Sequence, residues 1–207
     1  MNQDTAQPTT LRLPPSSVAA RRRWTAGLTT SLAGLVSGAI VESSGTGLSA
    51  RTEVVATSEA ALPEAVTHVL RELCLSERGS LSLLSALPAQ LIPTQCEVVD
   101  ALLAEARVAR EDVIALGVDD PGIWDVDGDH RCYVGLCDAA RLAEISGMNV
   151  IDALPARDVG SGGLGGPVTA LAEWLLLAEQ RRPSIVLHLD QSIYATILPP
   201  RLASGDV

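Results

Sequence analysis

The 207-residue sequence predicts an α/β domain, and three observations predict it. Asp112-Val113-Ile114-Ala115-Leu116-Gly117-Val118 is a continuous β-branched run of the type buried on both faces of a sheet. Around it, short strand-like runs alternate with stretches whose apolar residues recur at helical spacing. Finally, Val150 to Val168 passes from a short strand through Arg157-Asp158 and a loop with five glycines among seven residues, then into an apolar helix.

In chain order, residues 1–22 are rich in Pro, Ser, Thr and Gln and read as a disordered tail. Trp24 to Val41 reads as two strands joined at Thr29 to Gly34. Because Arg21-Arg22-Arg23 precede this run and Leu48-Ser49-Ala50 resembles a cleavage site, an export signal competes with the strand reading. Glu53 to Ala56 reads as a short strand. Ser58 to Cys74 reads as an amphipathic helix with Pro63 in its first turn and Val66, Val69, Leu70 and Leu73 on one face, His68 being a helix-surface residue. Ser80 to Ile92 is apolar but interrupted by Pro88 and Pro93. Thr94 is then expected to cap a helix over Gln95 to Ala109.

After the central strand, Ile123 to Val126 and His130 to Val134 flank Asp127-Gly128, a hairpin signal. Asp125, Asp127 and Asp129 resemble a calcium loop only faintly, since the glycine is at the wrong offset and no closing Glu is present at the twelfth position. Asp138 to Ser146 is a helix ended by Gly147, and Met148 to Ile151 re-enters the sheet. Val168 to Arg182 is a second apolar helix, with Leu171, Trp174, Leu175 and Ala178 as its core face. Ser184 to Leu189 and Ile193 to Ile197 form a last strand pair, whose exposed edge favours self-association.

Composition removes several chemistries. All 15 basic side chains are arginine, so mechanisms that depend on a lysine amine are excluded: Walker-type phosphate loops, protein-kinase cores and Schiff-base enzymes. A net charge of -10 and an aromatic content of 2% argue against nucleic acid as a partner. The run at 24–41 is less apolar than most spans, so no membrane partner is expected. Cys74, Cys96, Cys132 and Cys137 show no disulfide framework and read as reduced thiols of a cytoplasmic protein. His130, Cys132 and Cys137 match no common zinc spacing, so no metal centre is expected from them.

The glycine loop carries the chemistry. Glycine lets backbone amides approach a ligand closely, and Pro167 suits the first turn of the helix beyond it, whose amino end attracts anions. A mobile surface loop is the alternative reading of the same residues.

The succession of central strand, hairpin, Leu-Ala-Glu helix, "NVID" strand, "RDVGSGGLGGPV" loop, long helix and "SIVLHL" strand resembles the anhydro-N-acetylmuramic acid kinases, over about residues 24–197. The resemblance implies the amino-terminal lobe of an actin-like ATPase (ribonuclease H-like) fold, a mixed sheet with flanking helices, over 23–183. Residues 184–207 would then be the first hairpin of a second lobe that is largely absent. Arg157-Asp158 with Gly162-Gly163-Leu164-Gly165-Gly166-Pro167 is similar to the family's R-D-x-x-x-G-G-Q-G-A-P. The resemblance implies that Asp158 is the general base that activates water to open the anhydro bond, and that Arg157, Gly162, Gly163, Gly165 and Gly166 bind the sugar.

The family's nucleotide turn G-T-S-x-D-G stands here as Thr29-Thr30-Ser31-Leu32-Ala33-Gly34, leaving Thr30, Ser31 and Gly34 as a degraded nucleotide site. ATP and Mg2+ are the cofactors implied if the protein is active. The H-G-Q-T and N-I-G-G-I-A-N motifs are replaced by Asp119-Asp120-Pro121-Gly122 and His188-Leu189-Asp190-Gln191-Ser192-Ile193-Tyr194. Two readings are open. One is a sugar kinase of peptidoglycan recycling that is weak or inactive as an isolated chain. The other is a non-catalytic amino-sugar-binding or scaffold subunit, paired with a second copy or with a separate second-lobe protein.

Overall fold

The computed structural model describes residues 22–45, 50–75, 80–119, 121–125, 132–166, 168–189 and 193–201. Residues 1–21 of the tail, the cleavage-like residues Leu48 and Ser49, Asp120, the Asp127-Gly128 turn with Asp129 and His130, Pro167 and Asp190 to Ser192 lie outside them.

Strands β1 (Arg23–Thr30) and β2 (Leu35–Ser44) form the antiparallel hairpin that starts the sheet. The run that competed as an export signal is therefore the centre of the fold: Ala26, Leu28, Val36 and Ile40 are core residues. Strand β3 (Arg51–Ala61) pairs with β2 and is longer than the short strand expected, because Leu35 to Ser44 offers it a full-length antiparallel partner. The next helix, α1 (Glu64–Leu75), accordingly begins later than expected, just after Pro63.

The largest departure is α2 (Leu81–Ala106), one helix of 26 residues running through both Pro88 and Pro93. Ser80 is its N-cap, its hydroxyl accepting from the Ser82 amide at 3.2 Å, and Thr94 is a buried interior residue rather than a cap. An interior proline costs about 3 kcal/mol or more. The helix also buries Leu87, Leu91, Ile92, Val98, Val99 and Leu102, each worth roughly 1.5–3 kcal/mol. That burial outweighs two proline penalties, which is why the helix does not break.

A 3-10 turn (Arg110–Asp112) leads into β4 (Val113–Asp119), which lies parallel to β1. A two-stranded excursion, β5 (Gly122–Asp125) and β6 (Cys132–Gly135), precedes α3 (Ala139–Ser146), whose N-cap is Asp138 and whose C-cap is Gly147. Strand β7 (Val150–Ile151) closes a five-stranded mixed sheet of order β3-β2-β1-β4-β7. β3, β1, β4 and β7 all point one way, and the crossovers β3 to β4 and β4 to β7 both advance in one direction across the sheet. The right-handed crossover rule therefore puts α1, α2 and α3 on one face, and α2 packs against β2, β3, α1 and α3.

The second face is uncovered by described residues. β4 is therefore only partly buried instead of being buried on both faces: Val113, Leu116 and Val118 are core, whereas Ile114 is 50% exposed. Beyond the sheet come α4 (Leu154–Gly160), α5 (Ala170–Leu177) and a separate antiparallel pair, β8 (Ser184–Leu189) and β9 (Ile193–Leu198). α5 is shorter than the helix expected over 168–182, and Leu171, Leu176 and Leu177 are exposed. No described helix is long and apolar enough to cross a membrane, and the four cysteines are unbridged.

One core residue is out of keeping with its surroundings. Gln95 on α2 is fully buried, and neither its amide oxygen nor its nitrogen has a hydrogen-bond partner among the described residues. A buried unpaired polar group costs about 1–3 kcal/mol. Gln95→Met, which keeps the length and removes the polar atoms, should raise stability by about that amount, read as a higher midpoint in urea with an unchanged slope.

Candidate functional site

In a sheet with parallel central strands, ligands bind outside the strands' carboxyl ends. Here those ends are Thr29-Thr30 of β1, Asp119 of β4 and Ile151 of β7, and Thr29 is paired in register with Asp119. The Thr29 hydroxyl donates to Asp119 Oδ2 at 3.3 Å. Partial burial pushes the Asp119 carboxyl above the usual carboxylate range, and the Thr29 hydrogen bond offsets part of that rise.

From β7 the chain turns directly into α4, so Arg157 and Asp158 stand on a helix rather than in an open loop. Asp158 organises the glycine loop beyond it. Its main-chain carbonyl accepts from the amides of Ser161 at 3.0 Å and Gly163 at 2.9 Å. Its carboxylate Oδ2 accepts from the Gly165 amide at 2.7 Å, the length of a charge-assisted bond. Oδ1 has no hydrogen-bond partner among the described residues, and the residue is only half-buried. The outcome is a fixed carboxylate with one oxygen committed to the loop.

Two glycines are dictated by this geometry. A Cβ on Gly163 would lie 2.2 Å from Asp158 Oδ2. Gly165 is buried with φ at +83°, and a Cβ there would lie 2.3 Å from Trp124 Cζ3. Gly162 also has positive φ but faces open space, and Gly166 is exposed. Arg157 is exposed, its carbonyl accepting from the Ser161 amide and hydroxyl. Of the sugar-binding residues the sequence nominates, the structure thus gathers Gly163 and Gly165 tightly around Asp158, and leaves Arg157, Gly162 and Gly166 on the rim.

The sequence reading missed Trp124 as part of this site. It sits on β5 directly opposite Tyr133 of β6, their ring centroids 4.7 Å apart and the planes inclined at 60°. The signal available was a tryptophan in a chain with three of them and no Phe, placed one hairpin upstream of the glycine loop.

The β1–β2 turn holds Thr30, Ser31 and Gly34, and it does not fit a magnesium-bound nucleotide. The Ser31 amide donates to Leu35 O at 2.9 Å, and the Gly34 amide donates to Ser31 O at 3.0 Å. The Ser31 hydroxyl accepts from the Leu35 amide. Three of the turn's amides are therefore used inside it. Thr30 is buried on the helix-covered face with Leu28, its hydroxyl unpartnered among the described residues. The position where a hard cation's carboxylate would stand is Ala33. The Arg71 guanidinium instead donates to the carbonyls of Leu32 at 2.7 Å and Ala33 at 3.4 Å.

A second polar cluster joins α5 to the last hairpin. Buried Glu173 accepts from the Thr169 hydroxyl at 2.6 Å and lies 3.3 Å from His188 Nε2. The Trp174 indole donates to Pro199 O at 2.9 Å, and the Arg201 guanidinium lies over its ring. The Thr169 hydrogen bond chiefly, with those of Thr196 and His188, holds the Glu173 carboxyl below its usual 4.5. A carboxyl lowered on folding stabilises above its unfolded value and loses that contribution as pH falls through the folded one. Acidification below about pH 4.5 should therefore loosen α5 from β8–β9. The Trp174 fluorescence change that reports it should be largely absent in Glu173→Gln.

Comparison with known proteins identifies the family. The family model described as anhydro-N-acetylmuramic acid kinase matches residues 29–204. An anhydro-N-acetylmuramic acid kinase of Nitrosospira multiformis is 27% identical over 138 residues, covering 66% of this chain and 38% of its own length. The chain thus spans well under half the length of that relative. A solved structure of a reductive activator for corrinoid, iron-sulfur protein aligns with 50% of this chain and 15% of its own, at 16% identity and a TM-score of 0.31, a likeness too slight to place the fold. With a family match running from the end of β1 through the last hairpin, this chain belongs to the anhydro-N-acetylmuramic acid kinase family.

Proposed function

We propose that this chain supplies the sugar-binding half of an anhydro-N-acetylmuramate kinase, with Asp158 as the base that draws a proton from water while the glycine loop cradles the sugar. The observation that supports this most directly is the Asp158–Gly165 arrangement, one carboxylate oxygen anchored at 2.7 Å and the other available on a half-buried residue. A base held within hydrogen-bond reach of its water contributes about 10²–10⁴-fold in rate.

The division of labour also favours binding over turnover. The internally bonded β1–β2 turn and Ala33 disfavour a magnesium nucleotide there. In this reading residues 23–183 are the actin-like amino-terminal lobe, and β8–β9, a sheet of its own, begins a second lobe. Phosphoryl transfer then calls for the length of the family that lies outside this match, supplied in the same or another chain. The protein works where no nucleic acid or membrane is engaged, in the cytoplasm.

The test is to incubate the full chain with 1,6-anhydro-N-acetylmuramate and magnesium-ATP, monitoring phosphosugar by mass spectrometry and sugar binding by equilibrium dialysis. Bound sugar without phosphosugar is the expected result. Asp158-dependent phosphosugar would establish the chain as a complete kinase instead, and an absence of sugar binding would overturn the assignment.

A further inference from the structure

We propose that the exposed indole face of Trp124 is a carbohydrate-stacking surface of the Asp158 site, taking the apolar C–H face of the sugar ring. The inference rests on the proposed sugar-binding role of that site and deepens it by naming a contact residue.

Trp124 is 44% exposed, more than is usual for so large an apolar side chain. It is exposed but not loose. On one side its ring meets Tyr133, itself 8% exposed, edge to face at 4.7 Å. On another, the Gly165 backbone lies against its six-membered ring, close enough that a Cβ would sit 2.3 Å from Cζ3 and 2.4 Å from Cη2. The same Gly165 donates its amide to Asp158 Oδ2 at 2.7 Å. Indole and carboxylate are therefore linked through a single residue, and the uncovered part of the indole is held in place near the carboxylate.

Those two groups suit a pyranose, which has an apolar face of C–H bonds and a polar edge of oxygens. The electron-rich face of the indole attracts the slightly positive C–H hydrogens, as it attracts the positive edge of another ring. A nucleobase would also stack on an indole, but it arrives with phosphates that a protein of net charge -10 and no lysine repels. A singly charged amino sugar meets less of that barrier than a polyphosphate does.

The experiment uses the full chain labelled with 5-fluorotryptophan, giving one fluorine signal for each of its three tryptophans, with Trp124→Phe assigning the relevant one. Titration with 1,6-anhydro-N-acetylmuramate should move the Trp124 signal and leave those of Trp24 and Trp174 in place. Calorimetry should show Trp124→Ala weakened on the order of 10-fold and Trp124→Phe, which keeps a flat ring, within about threefold of wild type.

Saturation of the wild type with an unmoved Trp124 signal, or an alanine variant that binds as tightly as wild type, overturns the stacking role and leaves the sugar reading standing. A wild type that binds no sugar overturns both. If the alanine variant fails to fold, the fluorine shift and the phenylalanine variant still decide.

Discussion

Asp158→Ala should weaken binding of anhydro-N-acetylmuramate by at least about tenfold and free the Gly165 end of the glycine loop. In the proposed reading the carboxylate has two tasks, and alanine removes both: it anchors Gly165 through Oδ2, and it serves as the base. A hydrogen bond to a charged group is worth about 1.5–3 kcal/mol, so the Gly165 amide should exchange with solvent roughly 10- to 100-fold faster in the variant. Asp158→Asn separates the tasks, since its amide oxygen still accepts from Gly165 but is no base. It should leave Gly165 protected while lowering any anhydro-bond opening by about 10²–10⁴-fold. Amide exchange of Gly165 in the two variants reads the anchoring, and mass spectrometry of the opened sugar reads the loss of the base.

Gly165→Val should abolish sugar binding while leaving the five-stranded sheet folded. With φ at +83°, a valine is held where an L side chain is strained, and its Cβ collides with the Trp124 ring at 2.3 Å. Left-handed backbone costs about 1–2 kcal/mol, and forcing extra methyls into a packed contact costs about 1–3 more. The loop relieves this by moving away from Trp124, which also breaks the Gly165–Asp158 bond. The core cluster of Leu28, Val36, Ile40, Leu102 and Leu116 is built from β1, β2, α2 and β4, so the thermal midpoint should fall far less than the binding. Gly162→Ala, whose Cβ meets nothing within 4 Å, carries only the strain of its positive φ and should be the milder change.

Much of this arrangement was legible in the sequence, and the parts that were not have physical reasons. The β1–β2 pair, β4, α3 with Asp138 and Gly147 at its ends, and the last hairpin all announce themselves by local pattern. α2 does not, because prolines at 88 and 93 argue locally for a break while the burial that carries the helix through them is tertiary. The exposed face of β4 is likewise invisible locally, since a β-branched run reads the same whether one face is covered or two.

At the site, the pairing of Asp158 with glycines was readable from their order. That Gly163 and Gly165 are compelled by contacts, Gly163 by Asp158 and Gly165 by Trp124, was not. Trp124 belongs to a hairpin more than thirty residues upstream, and no spacing rule connects it to the loop. The nucleotide turn shows the converse. The sequence revealed a missing carboxylate at Ala33, and the structure adds that the turn's own amides are already bonded to one another.

The proposed function makes Asp158 and its glycine loop a working amino-sugar site. Calorimetric titration of 1,6-anhydro-N-acetylmuramate into the wild-type chain and Asp158→Ala, side by side at neutral pH, tests it most directly. Saturable one-to-one binding to the wild type and at least about a tenfold loss in the variant are the expected results. Equal affinities for the two proteins, or no heat from the wild type, would contradict it.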